Sequence, residues 1–102
     1  MCMTRLLVDQ KNDDSTVVVA ERLKAIRTVT GLNKKGFAER AGITEQTYGP
    51  FENSKRELSL LAAKKLRKTY DLSLDFLYFG VISDLPSRYI ESYLKTEITD
   101  DP

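Results

Sequence analysis

Apolar residues recur at three- and four-residue steps through most of the chain, the spacing of one helix face. Val19, Leu23, Ile26 and Thr30 predict a first helix from near Thr16, stopped by Gly31. Asn33 offers an N-cap for a second helix of about two turns. Phe37, Ala38 and Ala41 form its buried stripe and Gly42 ends it. Gly36 inside that helix costs roughly 1 kcal/mol relative to Ala, so another interaction must hold it. Ile43 reads as an apolar plug, Thr44 as the next cap, and Tyr48 and Phe51 as inward-facing. After a polar loop from Asn53 to Leu58, Ser59 caps a fourth helix with Leu60, Ala63, Leu66 and Tyr70 on one side. Lys64, Lys65 and Lys68 read as its solvated faces. Ser73 caps a fifth, Leu74 to Phe79, closed by Gly80. Asp84-Leu85-Pro86 reads as one more start, followed by the stripe Tyr89, Ile90, Tyr93, Leu94. Val17-Val18-Val19 is the only β-like run, and the Ala20-Glu21-Arg22-Leu23 that follows makes it a helix entrance. The fold class is all-α, five short helices plus one.

One stretch interrupts the pattern. In Ile43 to Lys55, Gly49-Pro50 falls inside the third helix. Pro50 has no N–H for the carbonyl of Gln46 and pushes against it, at a cost of ~3 kcal/mol in an interior position. It also steers its predecessor out of the α region. The expectation is a third helix that kinks, or ends near Tyr48 and restarts at Phe51.

Charge changes the picture more than composition does. Apolar residues make up 41% and charged residues 30%, ordinary for a soluble globular chain of 102 residues with one modest core. The net charge of +1 conceals an uneven distribution: residues 1–20 sum to −1, residues 21–68 to +7 and residues 69–102 to −5. A basic centre between acidic ends suits a polyanion, though a merely lysine-rich solvated surface reads the same way from charge alone. Catalytic chemistry is poorly supplied. The chain has no His, the single Cys2 has no base to activate it, and no phosphate loop or metal-spaced ligand set occurs. We expect no enzyme, no cofactor, no metal and no small-molecule ligand. No apolar run reaches ~18 residues and no secretory signal is evident, so the expectation is a cytoplasmic protein without a membrane span.

The segment RLKAIRTVTGLNKKGFAERAGITEQTYGPFENSKRELSLLAAKKLRKTYDLSLDFLYFG, Arg22 to Gly80, resembles the DNA-binding domain of the phage repressor and Cro family. The marks are Gly31-Leu32-Asn33 entering the second helix, FAERAGIT leading into the third, FENSKR leaving it, Leu58-Ser59 opening the fourth and LSLDFLYFG forming the fifth. They need no gaps and cover 59 of 102 residues. The resemblance implies a five-helix helix-turn-helix domain with the third helix in the major groove of double-stranded DNA. Domain limits follow as a flexible N-terminal arm over 1–15, the helix-turn-helix domain over 16–80, and a C-terminal helix with acidic tail over 81–102.

The resemblance also implies site residues. Thr44, Glu45, Gln46 and Thr47 occupy the base-reading first turn. Gln46 is the strongest candidate, because its amide can donate and accept together at adenine. Asn33, Lys34, Lys35, Asn53, Lys55 and Arg56 match phosphate contacts. Arg27 and Glu52 match a structural ion pair. A homodimer is expected, since one short helix reads few base pairs; Tyr89, Ile90, Tyr93 and Leu94 form its possible seam or fold back onto the chain's own core. The competing function is a protein-interaction module, antitoxin-like or regulatory, favoured by the expected break at Gly49-Pro50 and by the acidic ends.

Overall fold

The computed structural model of the chain describes residues 15–83 and 85–91. Residues 1–14 of the expected N-terminal arm, Asp84 at the expected sixth start, Tyr93, Leu94 and the acidic tail lie outside the described residues. Five helices follow in order: α1 Thr16–Thr30, α2 Lys34–Arg40, α3 Glu45–Glu52, α4 Leu60–Tyr70 and α5 Leu74–Phe79. A further helix begins over residues 87–91. Apart from a one-residue bridge at Val81, all regular structure in the described residues is helical.

Each helix starts where its sequence supplies an oxygen for an orphan N–H. Ser15, Asn33, Thr44, Ser59 and Ser73 accept from the backbone N–H three residues on. Such caps stabilise by about 1 kcal/mol each. The Asn33 cap also accounts for Gly36. Asn33 Oδ1 accepts from the Gly36 N–H at 2.8 Å, and a Cβ on residue 36 would stand 3.2 Å from that oxygen. The glycine gives room for the cap that begins its own helix.

Helix ends are equally local. After α2, Gly42 takes the left-handed conformation, φ 78°. Its N–H donates to Glu39 O, and the Ile43 N–H donates to Ala38 O at 2.9 Å. These are the two bonds of a Schellman turn. The turn aims Ile43 inward, where it is buried, two residues before α3 begins.

The core is one cluster to which every helix contributes. Leu23 and Ile26 of α1, Phe37 and Ala38 of α2, Tyr48 of α3, Ala63 and Leu66 of α4, and Phe76 and Leu77 of α5 are fully enclosed. Burial of each large apolar side chain stabilises by ~1.5–3 kcal/mol. An aromatic ladder joins three helices. Phe37 stacks on Tyr70 with centroids 4.4 Å apart and meets Tyr48 at 5.5 Å, and the Tyr70 hydroxyl donates to the Phe37 carbonyl at 2.7 Å. α1 packs against α2, α3 and α5, so it is the post on which the α2–α3 pair is mounted.

Two sequence readings are corrected here, and a third, left open between two alternatives, is decided at Tyr89. The third helix does not break. α3 runs unbroken from Glu45 to Glu52 with Pro50 inside it. Gly49 has no Cβ to clash with the proline ring, so it stays helical. Tyr48 and Phe51, buried on either side of the dipeptide, hold the segment by tertiary packing. The Pro50 carbonyl, meanwhile, caps the end, accepting from the N–H of Lys55 at 2.9 Å and of Arg56 at 3.3 Å. Secondly, Tyr89 is 1% exposed and belongs to the core together with Ile82 and Leu85, while Ile90 packs against it half-buried. Tyr89 therefore cannot serve as an intermolecular seam, because its apolar surface is already spent inside the chain. Thirdly, Lys65 is not simply solvated, since its Nζ donates to the Gly42 carbonyl at 3.0 Å. That bond ties α4 to the turn between α2 and α3.

Candidate nucleic-acid interface

The first turn of α3 is the most outward-facing part of the α2–α3 pair. Thr44, Glu45, Gln46 and Thr47 are all exposed. Thr44 Oγ1 accepts from the Thr47 N–H at 3.2 Å and donates to Thr47 Oγ1 at 3.0 Å. Those two hydroxyls fix the tip. Glu45 and Gln46 between them extend into solvent, with Glu45 at the helix N-terminus where a negative charge is favoured.

Cationic candidates flank the tip on two sides. A shallow groove lined by Lys35, Glu39, Gly42, Ile43, Thr44, Glu45 and Gln46 runs between α2 and α3. On the other side, Gln46, Thr47 and Pro50 share a depression with Arg56, Glu57 and Ser59. Lys34, at the start of α2, donates from Nζ to Asn53 Oδ1 at 3.1 Å, across nineteen positions of sequence. That bond joins the entrance of α2 to the loop after α3. The loop has its own lock. Ser54 sits at φ 64°, and the Lys55 N–H closes onto the Pro50 carbonyl. Asn33, Lys35, Asn53, Lys55 and Arg56 are exposed and Lys34 is half-buried.

Behind the tip lies a closed polar network. Arg27 of α1 forms a two-pronged pair with Glu52: Nε to Oε2 at 2.8 Å and Nη2 to Oε1 at 2.9 Å. Its third nitrogen, Nη1, donates to the Leu32 carbonyl at 3.1 Å, just ahead of α2. The Tyr48 hydroxyl donates to Glu52 Oε2 at 2.7 Å. One guanidinium thus fixes the start of α2 and the end of α3 together. Burial pushes the Glu52 carboxyl up, but hydrogen bonds from Arg27 and Tyr48 and the charges of Arg27 and Lys34 outweigh it, holding the group below its ordinary range. Tyr48 goes strongly the other way: burial first, then its bond to the Glu52 carboxylate, keeps the phenol protonated.

A helix-turn-helix family profile matches residues 23–77. The chain belongs to the Cro/repressor-type helix-turn-helix family. The SPbeta prophage-derived uncharacterized HTH-type transcriptional regulator YonR of Bacillus subtilis (strain 168) is 42% identical over 60 residues, 59% of this chain and 56% of that protein. The chain thus spans little more than half the length of that curated relative. No solved structure matches the chain significantly.

Within this helix-turn-helix domain, sequence reasoning missed three residues. Arg22 is fully buried and donates from Nη1 to the Leu77 carbonyl at 3.3 Å; its partner lies 55 positions away on α5, so spacing along α1 carried no signal. Lys65 acts on the turn rather than on solvent. Tyr48 is a polar partner of Glu52 as well as a core residue, which its four-residue spacing from Glu52 permits. Among the described residues no group of three or more His, Cys, Asp or Glu could hold a metal ion, and no helix is long and apolar enough to cross a membrane.

Proposed function

We propose that this chain is a sequence-specific transcription regulator that binds double-stranded DNA with the first turn of α3 in the major groove. Family membership supports the reading. The observation that carries it is the placement of an exposed, capped helical tip beside polar and cationic groups from the start of α2 and the loop after α3, which the bond from Lys34 to the Asn53 amide ties together. Gln46 reads adenine, Glu45 accepts from the amino group of cytosine, and Thr47 and Thr44 reach thymine methyls or phosphate. Asn33, Lys34, Lys35, Asn53, Lys55 and Arg56 hold the two backbones. Pro50 shares a face with Gln46 and Thr47 and carries no donor, so it adds at most an apolar touch and the target sequence is short. The protein acts in the cytoplasm, and the reading assigns it no catalytic step and no cofactor.

Selectivity from so short a helix calls for two half-sites and hence a homodimer. With Tyr89 inside the core, the exposed large apolar residues Val17, Leu60, Leu61 and Phe79 are better placed than Tyr89 to form a seam. The protein-interaction alternative drew its support from a broken third helix and from the acidic ends; α3 is continuous, which removes the first of these.

Salt titration tests the reading. A DNA-bound dimer making ~8 phosphate contacts gives a slope of log affinity against log salt near −7. A response flat between low and moderate salt counts against it.

A further inference from the structure

A third concavity shares no lining residue with the two beside α3. It lies where α1, α2 and α4 end, closed by the helix over residues 87–91, and has a volume of about 400 Å³. That is within the ~300–1,000 Å³ typical of small-molecule sites and well below what a duplex or a docked helix needs. Its walls are Val29 and Thr30 from the end of α1, Leu32 from the link to α2, Arg40 from the last turn of α2, Thr69 and Tyr70 from α4, and Arg88 and Tyr89.

The chemistry of these walls is one-sided. Among the described residues, two guanidinium groups line the cleft and no carboxylate does. The base and sides are apolar or aromatic: Tyr70 and Tyr89 are buried, and Val29 and Leu32 half-buried. Several polar wall groups are already engaged within the chain. The Thr30 hydroxyl donates to the Arg27 carbonyl at 2.6 Å and the Tyr70 hydroxyl to the Phe37 carbonyl at 2.7 Å. Arg88 is held by a neutral partner. Its guanidinium lies 4.5 Å from the Tyr89 ring centroid and Nη2 donates to the Tyr89 hydroxyl at 3.2 Å. An arginine laid on an aromatic ring is positioned without losing its charge. Arg40 also reaches into this region electrostatically. Burial pushes the Tyr70 phenol up, and the nearby Arg40 charge opposes that shift.

We propose that this cleft is a binding site for a small amphipathic organic anion, a carboxylate or phosphate ester on an apolar or aromatic body, with its oxyanion between Arg40 and Arg88 and its body against Val29, Leu32 and Tyr89. Spacing alone does not suggest a small-molecule ligand, because the two arginines lie 48 positions apart and only the fold brings them to one cleft. The inference does not rest on the DNA-binding reading and fails independently of it.

The test is a titration of the full-length, ¹⁵N-labelled chain with phenyl phosphate, benzoate and inorganic phosphate at constant ionic strength. Phenyl phosphate or benzoate, whichever matches the site, should move the amides of Arg40, Thr69, Tyr70 and Arg88 saturably, with Kd on the order of 1 mM. The tighter of the two tells phosphate ester from carboxylate. Inorganic phosphate should bind about tenfold more weakly, having no body for the apolar wall. Arg88→Gln and the exposed Arg40→Gln should each weaken the organic anion by about tenfold and leave amides distant from the cleft in place. Linear, non-saturating shifts with both organic anions overturn the proposal. So do shifts centred on residues 33–35 or 53–56, or an affinity that neither glutamine variant changes.

Discussion

The two ends of α3 are built for opposite purposes. Its first turn, Glu45 to Thr47 with the Thr44 cap, is exposed, and its longer side chains reach outward. Its last turn is enclosed: Tyr48, Phe51 and Glu52 are buried, and Glu52 receives bonds from Arg27 and Tyr48. The helix has only 8 residues, short enough to be marginal by itself in water. The enclosed end therefore supplies the order that the exposed end uses. A reading tip needs side chains left over from folding, and those side chains need a backbone that folding has already fixed. Dividing the two tasks along one helix lets the tip vary without cost to the fold.

That division can be attacked from either end. The largest effect is expected at the enclosed end. Glu52→Ala leaves the Arg27 guanidinium and the Tyr48 hydroxyl without their acceptor, and should destabilise the domain by about 3 kcal/mol or more in chemical denaturation. A loss under about 1 kcal/mol would show that the network is ornamental. Acid should do the same in degrees. Glu52 is held below its ordinary value of 4.5 in the folded chain, so folding stability gained from it is fully present above that pH. Below it the unfolded chain takes up the proton first, and stability falls until the folded group protonates too. Glu52→Gln should flatten this acid limb of the stability–pH curve.

At the exposed end, Gln46→Ala should leave stability within about 0.5 kcal/mol of the parent and cost ~1–3 kcal/mol in discrimination at one base position. A melting midpoint that falls along with binding would mean that the tip and the core are not separate. Between the two ends, Pro50→Ala restores an N–H that can bond the Gln46 carbonyl. Unfolding experiments should find the variant more stable by about 1 kcal/mol, and a destabilised variant would show that the proline ring packs where we place only its carbonyl. The smallest effect belongs to the loop. Ser54 holds a left-handed conformation, φ 64°, so Ser54→Gly should gain about 0.5–1 kcal/mol by removing a Cβ penalty.

Elements governed by near-neighbour chemistry were legible in the sequence. The four caps at Asn33, Thr44, Ser59 and Ser73, and the stops at Gly31, Gly42 and Gly80, depend on bonds spanning a few residues, and spacing reveals them. The Arg27–Glu52 pair was reachable only through family resemblance, since 25 positions separate the partners. What spacing could not decide was competition. A local rule condemned Gly49-Pro50, and burial of Tyr48 and Phe51 overruled it. The stripe at Tyr89 and Ile90 had the same pattern whether it faced a second chain or the first one's core, and the outcome depended on space left by α1 and α4. The same holds for Lys65, whose target is a carbonyl in a turn 23 residues earlier, and for Arg22, whose burial depends on where α5 ends up.

The most direct test is selection of random duplex DNA on the purified chain, with Gln46→Ala and Lys34→Ala run beside it. The account predicts an enriched short motif, repeated with two-fold symmetry. Its preference at one base pair should relax in the Gln46 variant, and its recovery should drop evenly across sequences in the Lys34 variant. Recovery of unenriched DNA by the parent chain, or one identical motif from all three proteins, would contradict it.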